Sequence, residues 1–177
     1  MDDAGKWQVM RRIRGDAGFS LIEAMLAAGM VASLAAGVAQ VFALSARGSH
    51  IARVQTLAAV LAAQKMEQLR SLTWAHAPGG EPLSDTSTDL TSDPPTGAGV
   101  GLQPAPAGAL DGDVPFYVDY VSAAGVRVAA RDSAAYVRRW SVAPLASDPG
   151  NLLLLQVRVV IVSGGDSRLV SIKARRP

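Results

Sequence analysis

Glu23 is the first residue whose chemistry needs explaining. In GDAGFSLIEAMLAAG, residues 15 to 29, it stands near the head of an otherwise apolar run. An ionisable side chain at the centre of a bilayer costs at least ~2.5 kcal/mol on insertion scales. A local role is available, because Ser20 and Glu23 have the S-x-x-E spacing of a helix capping box. That spacing accounts for a helix start, yet not for Gly18, Phe19 and the basic stretch before them together.

Catalytic chemistry has little to work with. His50 and His76 are the only histidines, there is no cysteine, and no G-x-S-x-G, H-E-x-x-H or phosphate-cradling glycine loop occurs. No catalytic residue, cofactor or metal site is expected. Asp85, Asp89, Asp93, Asp111, Asp113 and Asp119 could offer oxygens to calcium, but they lack EF-hand order and read as solvated loop carboxylates. Trp74 and Trp140 read as core or loop-anchoring aromatics rather than surface contacts.

The elements that position these residues can be read from periodicity. From Ala24 to Ala39 the only polar side chain is that of Ser33, and the lightly interrupted apolar run extends from Phe19 to Leu44. Such a helix is long enough for the ~30 Å hydrocarbon core of a bilayer. Lys6, Arg11, Arg12 and Arg14 precede it, whereas only Arg47 and Arg53 follow closely. The positive-inside bias therefore puts the N-terminus in the cytoplasm and the C-terminal domain outside. The repeats LAAGMVA and LAAGVAQ place Gly29 and Gly37 about 80° apart around the helix, a stripe that would let helices approach closely in lipid.

Ile51, Val54, Leu57, Leu61, Met66, Leu69 and Leu72 then recur among Arg53, Gln64, Lys65, Glu67, Gln68 and Arg70. This predicts an amphipathic continuation of the same helix, about 84 Å in all if unbroken to Trp74. Residues 76–113 are rich in Pro, Gly, Ser, Thr and Asp, and predict a long loop. Runs at 114–121, 125–131, 135–143, 152–162 and 168–174 predict short antiparallel strands, with SGGDS at 163–167 as a hairpin connection. The expected organisation is a leader at 1–18, a long N-terminal helix at 19–75 with its membrane part at 19–44, the loop at 76–113 and a β-sheet domain at 114–177. The expected class is α+β, one face of the sheet packed on the amphipathic half of the helix.

The net charge of +2 conceals a division along the chain. Residues 76–126 carry Glu81, Asp85, Asp89, Asp93, Asp111, Asp113 and Asp119 with no Lys or Arg. Residues 127–177 carry Arg127, Arg131, Arg138, Arg139, Arg158, Arg168, Lys173, Arg175 and Arg176 against three acids. Two opposed patches would suit head-to-tail association; the alternative is two solvated surfaces that happen to differ. Strand alternation splits the cations between faces, which disfavours one nucleic-acid-binding patch.

The order of a basic leader, then Gly18, Phe19, Ser20, Leu21, Ile22 and Glu23, then an apolar helix, resembles the prepilin cleavage and methylation signal of type IV pilins and type II secretion pseudopilins. The resemblance implies a pilin-like fold, cleavage after Gly18 by a prepilin peptidase, and N-methylation of the new terminus at Phe19. It further implies that Glu23 is tied to assembly with other pilins or pseudopilins on an inner-membrane platform. Cleavage would free an α-ammonium, with a reference pKa near 8, that offsets the Glu23 carboxylate in an apolar assembly. Within one chain about 6 Å of helix rise separates the two, so pairing with a neighbour would set an axial stagger.

AAQKMEQLRSL at 62–72, and RRWSV followed by LLLLQVRVVI, resemble minor pilins of the pilus-modification type and minor pseudopilins. The apolar helix lacks the proline of the best-known major pilins, and no cysteine pair closes a C-terminal loop. Both departures favour a minor subunit that initiates or caps assembly, on a filament outside the inner membrane. Two rival readings are an exported soluble binding protein whose signal peptide is cut after Ala39, and an uncleaved single-pass anchor.

Overall fold

A computed structural model describes residues 18–177; the leader expected at 1–18 therefore lies outside the described residues except for Gly18. The chain divides into two compact units, Met1–Arg47 and Gly48–Pro177. The fold class is α+β: one long N-terminal helix, α1 (Leu21–Ser71), supplies the helical layer, and antiparallel sheets supply the rest.

In the first unit, α1 starts where Ser20 caps it. The Ser20 carbonyl accepts the Ala24 N–H at 3.1 Å and the Ser20 hydroxyl accepts the Glu23 N–H at 3.3 Å. The apolar side chains from Leu21 to Leu44 are exposed, and the segment is long and apolar enough for one membrane crossing. Its exposure is what a membrane-facing or partner-facing helix surface requires.

In the second unit, α1 turns one stripe inward: Ala58, Leu61, Ala62, Lys65, Met66 and Leu69 are buried. The i, i+3, i+4, i+7 spacing places them on one face. The helix ends at Ser71, short of residue 75. The Ser71 hydroxyl donates to the Gln68 carbonyl at 2.8 Å, and the Lys173 ammonium donates to the Arg70 carbonyl, so two of the four last-turn carbonyls gain side-chain donors.

The segment beyond is not all loop. Trp74–His76 (β1) pairs antiparallel with Pro82–Ser84 (β2) in a two-stranded sheet. The intervening chain reverses because Gly80 adopts φ +84°, donating its N–H to the Ala77 carbonyl at 2.8 Å. Trp74 is thereby held in a strand, its indole donating to the Asn151 carbonyl at 3.3 Å under the Arg175 guanidinium.

The main sheet has the order β4-β3-β5-β6-β7, from β3 (Val118–Val121), β4 (Arg127–Val128), β5 (Tyr136–Pro144), β6 (Leu152–Ile161) and β7 (Asp166–Ala174), all neighbours antiparallel. β3 begins four residues later than the apolar run at 114 suggests. Pro115 has no N–H to give a ladder, and Phe116 takes φ 67°, turning the chain before Val118.

Besides Val137 and Arg139, buried on the other face of β5, alternation selects an inner face: Tyr136, Arg138, Trp140 and Val142 on β5, and Leu153, Leu155, Val157, Val159 and Ile161 on β6, are buried. They form one core with the buried stripe of α1 and with Leu90, Leu102, Ala109 and Tyr117 from the long connection. Burying this face accounts for most of the sheet's attachment to the helix.

Leu69→Ala should cost ~2–5 kcal/mol by leaving a cavity in this core. Ile51→Ala, at a position more than half exposed, should stay within about 0.5 kcal/mol. Denaturant unfolding of the full chain in mild detergent measures both.

Candidate functional site

At the helix start, Gly18, Phe19, Ser20 and Glu23 are all exposed. Phe19 is 84% exposed, and a Cβ added at Gly18 would meet nothing within 4 Å. The Ser20–Glu23 backbone contact is half of a capping box, so the local reading of that pair holds at the level of the backbone. The Glu23 carboxylate forms no ion pair among the described residues. Gly29 and Gly37 are likewise open, and the Ser33 hydroxyl turns back to the Gly29 carbonyl at 2.8 Å.

The second unit contains a group of charges that periodicity assigned to solvent. Lys65, expected on the polar side of α1, is 1% exposed, and Asp119, expected as a loop carboxylate, is 2% exposed. The cause is the strand register, which sets Asp119 of β3 directly opposite Arg138 of β5. Both side chains then share the face that α1 covers.

The Arg138 guanidinium grips the carboxylate with two bonds, Nε to Oδ1 at 2.8 Å and Nη2 to Oδ2 at 2.7 Å. Lys65 reaches Asp119 Oδ2 at 2.9 Å from the helix, donates to the Leu90 carbonyl at 2.7 Å, and lies 4.3 Å from the centre of the Trp140 ring. Two-point contact by a planar guanidinium is the strong form of this interaction.

Burial pushes against ionising Asp119, but the Arg138 hydrogen bonds and the Lys65 and Arg138 charges outweigh it and hold its carboxyl below the usual range. Lys65 goes the other way. Burial, with the Arg138 and Arg127 charges beside it, outweighs the pull of Asp119 and lowers its pKa to about 8.

The division of charge along the sequence closes in part within the chain. Asp113 accepts from Arg139 at 2.7 Å and pairs with Arg131; Arg158 binds both Asp111 at 2.7 Å and Asp166 at 2.6 Å. Asp85 and Asp89 cap local turns, accepting from Thr88 and Thr91. No family model, curated protein or solved structure matches this chain.

Asp119→Asn should destabilise the fold by roughly 3–5 kcal/mol, because Lys65 and Arg138 would be left buried without their carboxylate. A pH scan reads Lys65. Its proton is bound less tightly in the folded chain, so from about pH 8 upward the unfolded state holds more protons and stability rises with pH. The rise should reach on the order of 2 kcal/mol by about pH 10 and shrink in Lys65→Met, where Lys173, whose pKa burial also lowers, leaves a smaller rise of the same sign. Above that, Tyr117 and Tyr120, whose pKa values burial raises, oppose it.

Proposed function

We propose that the chain is a minor pilin or pseudopilin: a structural subunit that initiates or caps a type IV pilus or a type II secretion pseudopilus. In this reading it inserts as a single-span inner-membrane precursor with its C-terminal domain in the periplasm. A prepilin peptidase cuts between Gly18 and Phe19 and methylates Phe19. Assembly on an inner-membrane platform then packs α1 against the helices of other pilins or pseudopilins.

The observation that carries the reading is the position of Glu23. It is a carboxylate with no ion-pair partner among the described residues, in the first turn of an exposed apolar helix, five residues after an unobstructed glycine. A membrane anchor alone gives no use for that carboxylate, and its desolvation would only cost energy. In a filament, the Phe19 ammonium of a neighbouring subunit supplies the counter-charge. The soluble-protein alternative needs cleavage after Ala39, inside a helix continuous from Leu21 to Ser71. It also leaves Glu23 in the apolar core of a signal peptide.

The test is the mass and N-terminal sequence of the mature protein from the membrane and sheared-surface fractions of its native host. N-methyl-Phe19 at the start, lost in Gly18→Val, is the expected result. A start at Gln40 or an intact Met1 overturns the proposal. Glu23→Ala should keep the processed terminus in the membrane fraction but lower the filament-associated protein by about tenfold or more, the scale of losing one desolvated charge pair.

A further inference from the structure

The charged cluster of the second unit borders a cavity of about 210 Å³ enclosed by α1, the long connection and the β3–β4 hairpin. Lys65 and Arg138 form its floor, and Arg127, 27% exposed, stands nearer solvent. Three cations therefore surround a single buried anion, Asp119. Both oxygens of Asp119 are already taken by Arg138 and Lys65, and Arg127 comes no closer to them than 3.9 Å. Asp93, the other acid on the lining, is exposed and pairs with none of the three cations among the described residues.

Two of the lining side chains have a buried polar atom without a partner, Arg127 Nε and Gln68 Oε1. A buried donor without an acceptor and a surplus of buried positive charge are both costly. One anion offsets both: its oxygen accepts from Arg127 Nε, and its charge balances the surplus. Turning the Gln68 amide over presents its NH₂ as a further donor at no change in shape. The remaining walls are mixed: Gln64, Ser92 and Asp93 are polar, Leu61, Leu90 and Val121 form an apolar part, and the exposed Val126 flanks the cavity. Inorganic phosphate has nothing to place against Leu61, Leu90 and Val121; a short aliphatic chain ending in a carboxylate does, and its single charge meets less repulsion from Asp93.

We propose that this cavity is a binding site for an aliphatic carboxylate, supplied by a free short-chain acid or by a glutamate side chain of another protein. The site lies wholly in the second unit and is independent of how the N-terminus is processed.

The experiment is a titration of the full ¹⁵N-labelled chain in detergent micelles, following the Arg127 Nε–H and Trp140 indole resonances. The probes are glutarate, a blocked Ala-Glu-Ala peptide and inorganic phosphate, each against sodium chloride of equal ionic strength. Saturable movement with glutarate alone assigns the site to a free acid. Saturation by the peptide, at the same or lower concentration, assigns it to a glutamate side chain.

In Arg127→Gln the Trp140 response should weaken about tenfold, the usual loss for one charge-assisted hydrogen bond. Its melting midpoint should stay at or above that of the unsubstituted chain, because removing Arg127 relieves repulsion with Lys65 and Arg138. Should that variant fail to fold, Arg127→Lys keeps the charge, lacks the Nε donor and should weaken the response in the same direction. Movement matched by sodium chloride, a response unchanged in both variants, or saturation by phosphate alone would overturn the proposal.

Discussion

The second unit is organised around one carboxylate. Asp119 accepts from a strand through Arg138 and from the helix through Lys65, so a single side chain fixes the register of β3 on β5 and the seating of α1 on the sheet. Because side chains alternate between faces, a slip of β3 by one residue would turn Asp119 to the outer face and leave Lys65 and Arg138 buried with no anion. A hydrophobic core tolerates many near-equivalent packings; a buried charge with two required partners tolerates few. The apolar residues around the cluster provide the larger share of the burial energy, and the cluster selects which arrangement receives it.

The other ion pairs extend this ordering to the long connection. Asp111 and Asp113 lie in the segment leading into β3, and their partners Arg158, Arg139 and Arg131 lie on the sheet or beside it. Each pair is partly or largely open to water and is worth at most about 1 kcal/mol. Their combined effect is to bring a segment with little regular structure against the core, where Leu102, Ala109 and Tyr117 become buried. The Tyr117 hydroxyl completes this attachment by donating to the Gln103 carbonyl at 2.9 Å.

The α+β class, the apolar half of α1 and the main strands were legible because each rests on a period sustained over many residues. Helix and strand ends were less so. α1 ends at Ser71, where Lys173, a residue far along the chain, takes the Arg70 carbonyl, and Phe116 delays β3 by a local turn. Lys65, Asp119 and Arg138 were assigned to solvent by residue type, although each is in phase with core positions. Lys65 lies four residues from both Leu61 and Leu69; Asp119 lies between Tyr117 and Val121; Arg138 lies between Tyr136 and Trp140. Phase was the signal that could have found them, and a charged side chain within an apolar phase is the pattern of a buried pair.

Asp119 and Glu23 present the same physical problem with different answers. A carboxylate withdrawn from water needs a cation close by, since neither desolvation nor an apolar neighbour offsets the loss of hydration. Asp119 finds its cations within the chain, on elements whose pairing brings them together. Glu23 has no such partner among the described residues, and the first-unit part of the helix that carries it exposes apolar side chains on every face. Under the proposed function its cation belongs to another chain, so burying that helix surface and neutralising its carboxylate occur in the same event. The charge then opposes any association that fails to bring an ammonium to Glu23, which gives an otherwise non-directional apolar contact a defined axial register.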